Sequence, residues 1–213
     1  MAGTHPGWYR RFGKRALDIA LGLVLLVISL PFQAVIACVV ALKLGRPVIF
    51  RQSRPGKDGR IFTLGKFRTM RPASEASSNP ADDADRMTSF GRKLRSTSLD
   101  ELPELFSIVR GHLSLVGPRP LLVEYLPRYS REQARRHEVR PGLTGWAQVN
   151  GRNAVDWQQR FELDVWYVDN LSLRLDLKIL WRTISAVFKR DGVSQEGQET
   201  MLPFEGNGEA ALD

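Results

Sequence analysis

Asp100 and Glu101 are adjacent carboxylates in the stretch Ser98-Leu99-Asp100-Glu101-Leu102-Pro103. Arg92, Lys93 and Arg95 precede them, and Arg119 follows in the rigid turn Gly117-Pro118-Arg119-Pro120. Alone, two acids in a first helical turn need only complement the positive end of the helix dipole. Among several cations, at a helix N-terminus whose free N–H groups attract anions, they point to a phosphate-handling site.

The elements carrying these groups are readable. Ser98 and Glu101 have the S-x-x-E spacing of a capping box, and Leu102, Leu105, Phe106 and Val109 recur at helical spacing. Pro103 suits a first turn, and both Ser98 and Asp100 are candidate N-caps. In a regular helix Glu104 shares the face of Asp100 one turn on and is the reserve candidate. Upstream, Val48-Ile49-Phe50 and Ile61-Phe62-Thr63-Leu64 flank Lys57-Asp58-Gly59, a hairpin signal. Lys66 and Arg68 alternate around Phe67, share one strand face, and are the better ligand candidates of this basic segment.

Before the hairpin, Ile19 to Leu42 is apolar except for Ser29 and Gln33. The run exceeds the roughly 7–15 residues of a secretory signal core and, at about 36 Å as a helix, is long enough for a bilayer core of about 30 Å. Pro31 removes the hydrogen bond to the Val27 carbonyl and favours a break, for which the Ser29 hydroxyl offers partial compensation. Arg10, Arg11, Lys14 and Arg15 precede the run and Lys43, Arg46, Arg51 and Arg54 follow it. One crossing cannot satisfy the positive-inside tendency at both ends. From these residues alone a re-entrant hairpin and a kinked span stand equal. Asp18 pairs with Lys14 one turn earlier.

Residues 72–85 read as a surface loop, after which Thr88 or Ser89 caps a short helix through Arg95. Leu121 to His137 reads as one or two helices broken near Pro127, with Ser130 and Gln133 as a second capping box and His137 as a surface histidine. Residues 140–152 hold too much glycine and proline for a regular element. Trp157 to Val168 and Asp176 to Lys189 read as helices. The second carries Leu177, Trp181 and Ile184 beside Lys178 and Arg182, which fits an interfacial membrane helix and core packing equally. Residues 191–213 read as a disordered acidic tail.

The 213 residues carry a formal net charge of +8, which calls for an anionic partner: nucleic acid, an anionic membrane lipid surface or a phosphorylated substrate. A nucleic-acid-binding module leaves the paired carboxylates and the break at Pro31 unexplained, and no nucleic-acid motif is present. A bitopic scaffold without catalysis is the second rival. The single cysteine, Cys38, excludes an internal disulfide, and there is neither zinc spacing nor a P-loop.

In order along the chain stand Lys14-Arg15 before a helix broken at Pro31, Pro47-Val48-Ile49-Phe50-Arg51-Gln52, Lys66-Phe67-Arg68-Thr69-Met70, Ser98-Leu99-Asp100-Glu101-Leu102-Pro103 and Ser114-Leu115-Val116-Gly117-Pro118-Arg119-Pro120. Arg140-Pro141-Gly142-Leu143-Thr144-Gly145-Trp146, Tyr167-Val168-Asp169-Asn170 and Leu175-Asp176-Leu177-Lys178 complete the series. From Lys14 to Lys189 the chain resembles the monotopic phosphoglycosyl transferases, bacterial sugar transferases that begin polyprenol-linked glycan assembly. The resemblance implies an α+β fold, mostly helical with a small β-hairpin, a re-entrant N-terminal membrane helix (16–45) after a basic segment (1–15), and interfacial amphipathic helices. A catalytic domain (46–190) would lie on the cytoplasmic face of the bacterial plasma membrane. It implies transfer of a phosphosugar from a UDP-sugar to undecaprenyl phosphate, a polyprenyl phosphate, with release of UMP and use of Mg²⁺. In the family the aspartate matching Asp100 is the nucleophile, here also the expected metal ligand, and the glutamate matching Glu101 has a supporting acid–base role. Lys66, Arg68, Arg95 and Arg119 match the phosphate-binding set, while Ser29 and Pro31 mark the membrane-helix break. Thr144, Gln148 and Arg152 are guesses for sugar contacts; a homo-oligomer stays open. Two departures stand out: Leu30, where the family often has serine, and His112, where many members have aspartate.

Overall fold

The computed structural model describes residues 7–71, 86–150, 156–189 and 203–206. The apolar run forms one continuous helix, α1 (Lys14–Leu44), entered through a π-helical turn over Tyr9–Gly13. Its length and composition suffice to cross a membrane. Helical structure continues through Pro31, and the expected rescue is redirected. The Ser29 hydroxyl donates to the Leu26 carbonyl at 3.0 Å rather than to Val27, and Gln33 Nε2 donates to Ser29 Oγ at 3.0 Å.

One stripe of α1 (Asp18, Gly22, Leu26, Ser29, Gln33, Val40, Leu44) is buried against the rest of the protein. Leu23, Val24, Val27, Ile28 and Val35 are exposed, an apolar surface suited to lipid rather than water. At Gly22 an added Cβ would meet Ile108 Cγ2 at 2.9 Å, so glycine sets how closely α1 approaches. Both ends are tied to the same globular part. At the start, Lys14 Nζ donates to Asp176 Oδ2 at 2.8 Å, and Arg15 donates to the Ile108 and Val109 carbonyls. At the end, Arg68 donates to the Leu44 and Gly45 carbonyls, partnering the unsatisfied acceptors of a helix C-terminus.

The hairpin is antiparallel, β1 (Ile49–Pro55) with β2 (Ile61–Phe67), turned by Lys57–Gly59 with Asp58 and Gly59 at positive φ. Thr88 caps α2 (Ser89–Ser96), its Oγ1 accepting from Gly91 N at 3.0 Å. Helix α3 (Glu104–Arg110) follows, and β3 (Ser114–Val116) pairs in parallel with β4 (Gly142–Thr144). Between them stands α4 (Arg131–Ala134), with Ser130 and Gln133 forming the expected capping box. The glycine-rich loop therefore does hold regular structure: β4 and the single turn α5 (Trp146–Asn150). Short β pairing against β3 supplies backbone partners that its composition does not advertise.

Helices α6 (Trp157–Asp169) and α7 (Leu173–Lys189) close the core, where Tyr167, Val168, Leu175 and Ile179 pack with Leu105, Ile108 and the hairpin's Phe62 and Leu64. On α7, Leu177, Trp181 and Ile184 are 50, 73 and 51% exposed, so that face stays outside the core. His137 is half-buried beside Tyr129, not at the surface, and burial lowers its pKa to about 4. Within the tail, Phe204 is buried among Tyr125, Tyr129, Trp157 and Phe161, and its N–H donates to Tyr125 Oη at 3.1 Å. Residues 72–85, read as a loop, and Arg152 lie outside the described residues.

Candidate active site

The two carboxylates do not open a helix. They sit on a 3-10 turn, Leu99–Glu101, and α3 starts only at Glu104, with Pro103 before it. Ser98 takes a left-handed conformation (φ 55°) and its side chain caps nothing, so neither it nor Asp100 is the N-cap of this helix. The S-x-x-E spacing fails as a capping box because the Glu101 carboxylate is drawn elsewhere.

Glu101 Oε1 accepts from Lys66 Nζ at 2.6 Å and from Arg119 Nη2 at 2.9 Å. Burial works against its ionised form, but Arg119 and Lys66 outweigh it and hold the carboxyl at about 2. Lys66 Nζ also stands 3.1 Å from Oε1 of Glu104, the first residue of α3. Glu104 is 3% exposed and Oε1 has no aligned hydrogen bond; burial, reinforced by Glu101, lifts its pKa to about 7. Asp100 is 7% exposed and enters no ion pair among the described residues. Burial and Glu101 raise its pKa, against Lys66 and Arg95.

Of the expected set, Lys66, Arg119, Asp100 and Glu101 come together. Arg95 stays within electrostatic reach of Asp100 while its Nε donates to Thr69 Oγ1 at 3.0 Å. Arg68 does not join Lys66: its N–H continues the hairpin ladder onto the Val48 carbonyl at 2.9 Å, but its guanidinium is taken by the Leu44, Gly45 and Arg46 carbonyls at the end of α1. Ser29 and Pro31 lie on α1. Thr144 Oγ1 bonds to Thr183, and Gln148 Nε2 donates to the Leu143 carbonyl while its Oε1 is buried without a hydrogen-bond partner among the described residues.

Three supporting contacts were not anticipated. Arg136, 2% exposed, pairs with buried Asp164 at 2.7 Å and donates to the Arg119 carbonyl at 2.7 Å, fixing the backbone that presents Arg119. Asp18 prefers the Ser114 hydroxyl (2.9 Å) and Leu115 N–H (3.0 Å) to Lys14, 4.0 Å away, and so ties α1 to the strand before Arg119. Asp176 accepts from Lys14, Tyr9 and Tyr167. The sequence does carry a signal for Asp164: it interrupts the stripe Phe161, Val165, Val168 at helical spacing, and a buried acid needs a cation.

Beside this carboxylate pair clamped by Lys66 and Arg119, behind an apolar helix, stands a match of residues 9–190 to the family model described as bacterial sugar transferase. The chain belongs to the bacterial sugar transferase family. The uncharacterized sugar transferase EpsL of Bacillus subtilis (strain 168) is 50% identical over 198 residues, covering 93% of this chain and 98% of that protein. The undecaprenyl-phosphate galactose phosphotransferase of Salmonella typhimurium is 38% identical over 85% of this chain and 42% of its own length. The UDP-glucose:undecaprenyl-phosphate glucose-1-phosphate transferase of Escherichia coli (strain K12) is 39% identical over 82% of this chain and 40% of its own length. This sugar transferase thus spans less than half of the two relatives named for an activity.

Proposed function

We propose that this sugar transferase moves a phosphosugar from a UDP-sugar to a polyprenyl phosphate through a covalent intermediate on Asp100. The carrying observation is the division of labour in the carboxylate pair: Glu101 is clamped by Lys66 and Arg119, whereas Asp100 beside it enters no ion pair among the described residues. Asp100 Oδ attacks the sugar-bearing phosphorus, the bond from that phosphorus to the bridging oxygen breaks, and UMP leaves with the electron pair. An oxygen of the acceptor phosphate then attacks the same phosphorus and the carboxylate departs, giving a sugar diphosphate lipid.

Lys66 and Arg119, held by Glu101, offset repulsion between a carboxylate and a diphosphate. Among the described residues no three metal-binding side chains converge, but Mg²⁺ needs only one or two carboxylates besides substrate phosphates. Asp100 would hold it, and the bound ion would supply charge neutralisation.

The membrane arrangement we propose is re-entrant, with the globular part on the cytoplasmic face. The contacts of Lys14 and Arg15 at one end of α1 and of Leu44 at the other, all with the same globular part, support it. The apolar face of α7 extends the lipid contact.

Intact-protein mass spectrometry with Mg²⁺ and a panel of UDP-sugars, without acceptor, tests the reading. A phosphosugar-sized gain with UMP release in wild type and none in Asp100→Asn is expected; a gain that survives Asp100→Asn overturns the nucleophile.

A further inference from the structure

Alternate residues of the hairpin face opposite sides of its two strands. Lys66 pairs with Phe50 and turns to Glu101, whereas the neighbouring pair, Arg51 with Gly65, lies on the other face. On that other face is a groove of about 600 Å³. Leu30, Ala34 and Ala37 of α1 form one wall, and Phe106 and Arg110 of α3 another. Ala34, Ala37 and Gly65 leave the slot unfilled because their side chains are small. Leu30 and Phe106 remain 45 and 39% exposed, so apolar surface lies open on the flank of a helix whose outer side suits lipid.

The charge of the groove is one-sided, with Gln33, Thr63 and Ser107 its neutral polar residues. Arg51 and Arg110 both line it, no carboxylate does, and neither arginine enters an ion pair among the described residues. An apolar slot with two uncompensated guanidiniums complements an amphiphile with a phosphate head.

We propose that the groove holds one anionic bilayer phospholipid, an acyl chain lying along Leu30, Ala34 and Ala37 and the phosphate on Arg51 and Arg110. A net-negative headgroup matches two positive charges better than a zwitterionic one, and each basic residue at an anionic membrane surface contributes about 1 kcal/mol. The lipid acceptor of the reaction is the less favoured occupant, because its phosphate has to reach Asp100, beside Lys66, and the groove's cations lie on the opposite face of the hairpin. The bound phospholipid would fix α1 against the hairpin and α3 without entering the chemistry.

Native mass spectrometry of the full chain, stripped with detergent and titrated with phosphatidylglycerol or phosphatidylcholine, tests this. Wild type is expected to retain one phosphatidylglycerol per chain in preference to phosphatidylcholine. Arg51→Gln with Arg110→Gln, and separately Ala34→Leu with Ala37→Leu, are expected to weaken retention about tenfold or more, while Arg60→Gln, outside the groove, matches wild type. The two double variants alter head and slot by independent means. Retention unchanged in either overturns the assignment, as does equal retention of phosphatidylcholine. Co-purified polyprenyl phosphate that is displaced by the groove variants would overturn it in favour of the acceptor.

Discussion

Lys66 and Glu101, 35 residues apart in the chain, meet at 2.6 Å between Nζ and Oε1, which joins the hairpin to the turn that carries Asp100. The same ammonium stands 3.1 Å from Glu104, so one cation separates two carboxylates.

Replacing Lys66 by methionine leaves Glu101 to Arg119 alone and removes a positive charge from the phosphate site. UMP release is expected to fall about 100-fold or more, the scale of losing one preorganised electrostatic partner. Because the pair is largely buried, with side-chain exposures of 23 and 18%, the thermal midpoint is expected to fall as well, and the rates are compared at a temperature where both proteins stay folded. An unchanged rate would remove Lys66 from the site.

Glu104 makes stability depend on pH in a definite direction. Its carboxyl titrates near 7 in the folded protein against a reference of 4.5, so between these values the unfolded chain gives up its proton first. Stability is therefore lost as pH rises from about 4.5 to about 7, and the loss is constant above that. Glu104→Gln should remove this slope and gain on wild type between pH 5 and pH 8 in urea midpoints; parallel curves would contradict it.

Phe204 packs in the aromatic cluster at 4% exposure. Phe204→Ala should cost about 3 kcal/mol, read as a lower denaturant midpoint at unchanged slope, because Tyr125, Trp157 and Phe161 lose a shared neighbour. A midpoint equal to wild type would mean that the segment does not dock.

Topology is checked in a Cys38→Ser background with single cysteines at Trp8 and at Arg46. The re-entrant reading expects both to label from the cytoplasmic side, with a cysteine at Ile28 protected from outside reagent. Labelling of Trp8 and Arg46 from opposite faces ends it.

Much of the architecture is legible from residues three or four positions apart. Asp58-Gly59 marks the hairpin turn, Thr88 and the Ser130–Gln133 box start their helices, and the spacing from Trp157 and from Asp176 gives the last two. Each depends on local backbone chemistry and survives whatever packs around it. The same logic misleads at Ser98: its spacing to Glu101 imitates a capping box, but two distant cations compete for that carboxylate and take it.

What the amino-acid sequence by itself determined is the inventory of the site, two carboxylates among cations behind an apolar helix, together with the hairpin turn and the caps that start α2, α4 and α6. Which cation meets which acid was decided only by the tertiary structure. Lys66 and Arg68, two positions apart on one continuous ladder, part ways because different acceptors lie within reach: Glu101 for one, and the free carbonyls at the end of α1 for the other. Arg136 reaches the Arg119 carbonyl, and Phe204 fills a gap in the core, through contacts between distant segments. Spacing along a chain encodes periodicity, whereas long-range pairing depends on which groups packing buries together and which must then be neutralised.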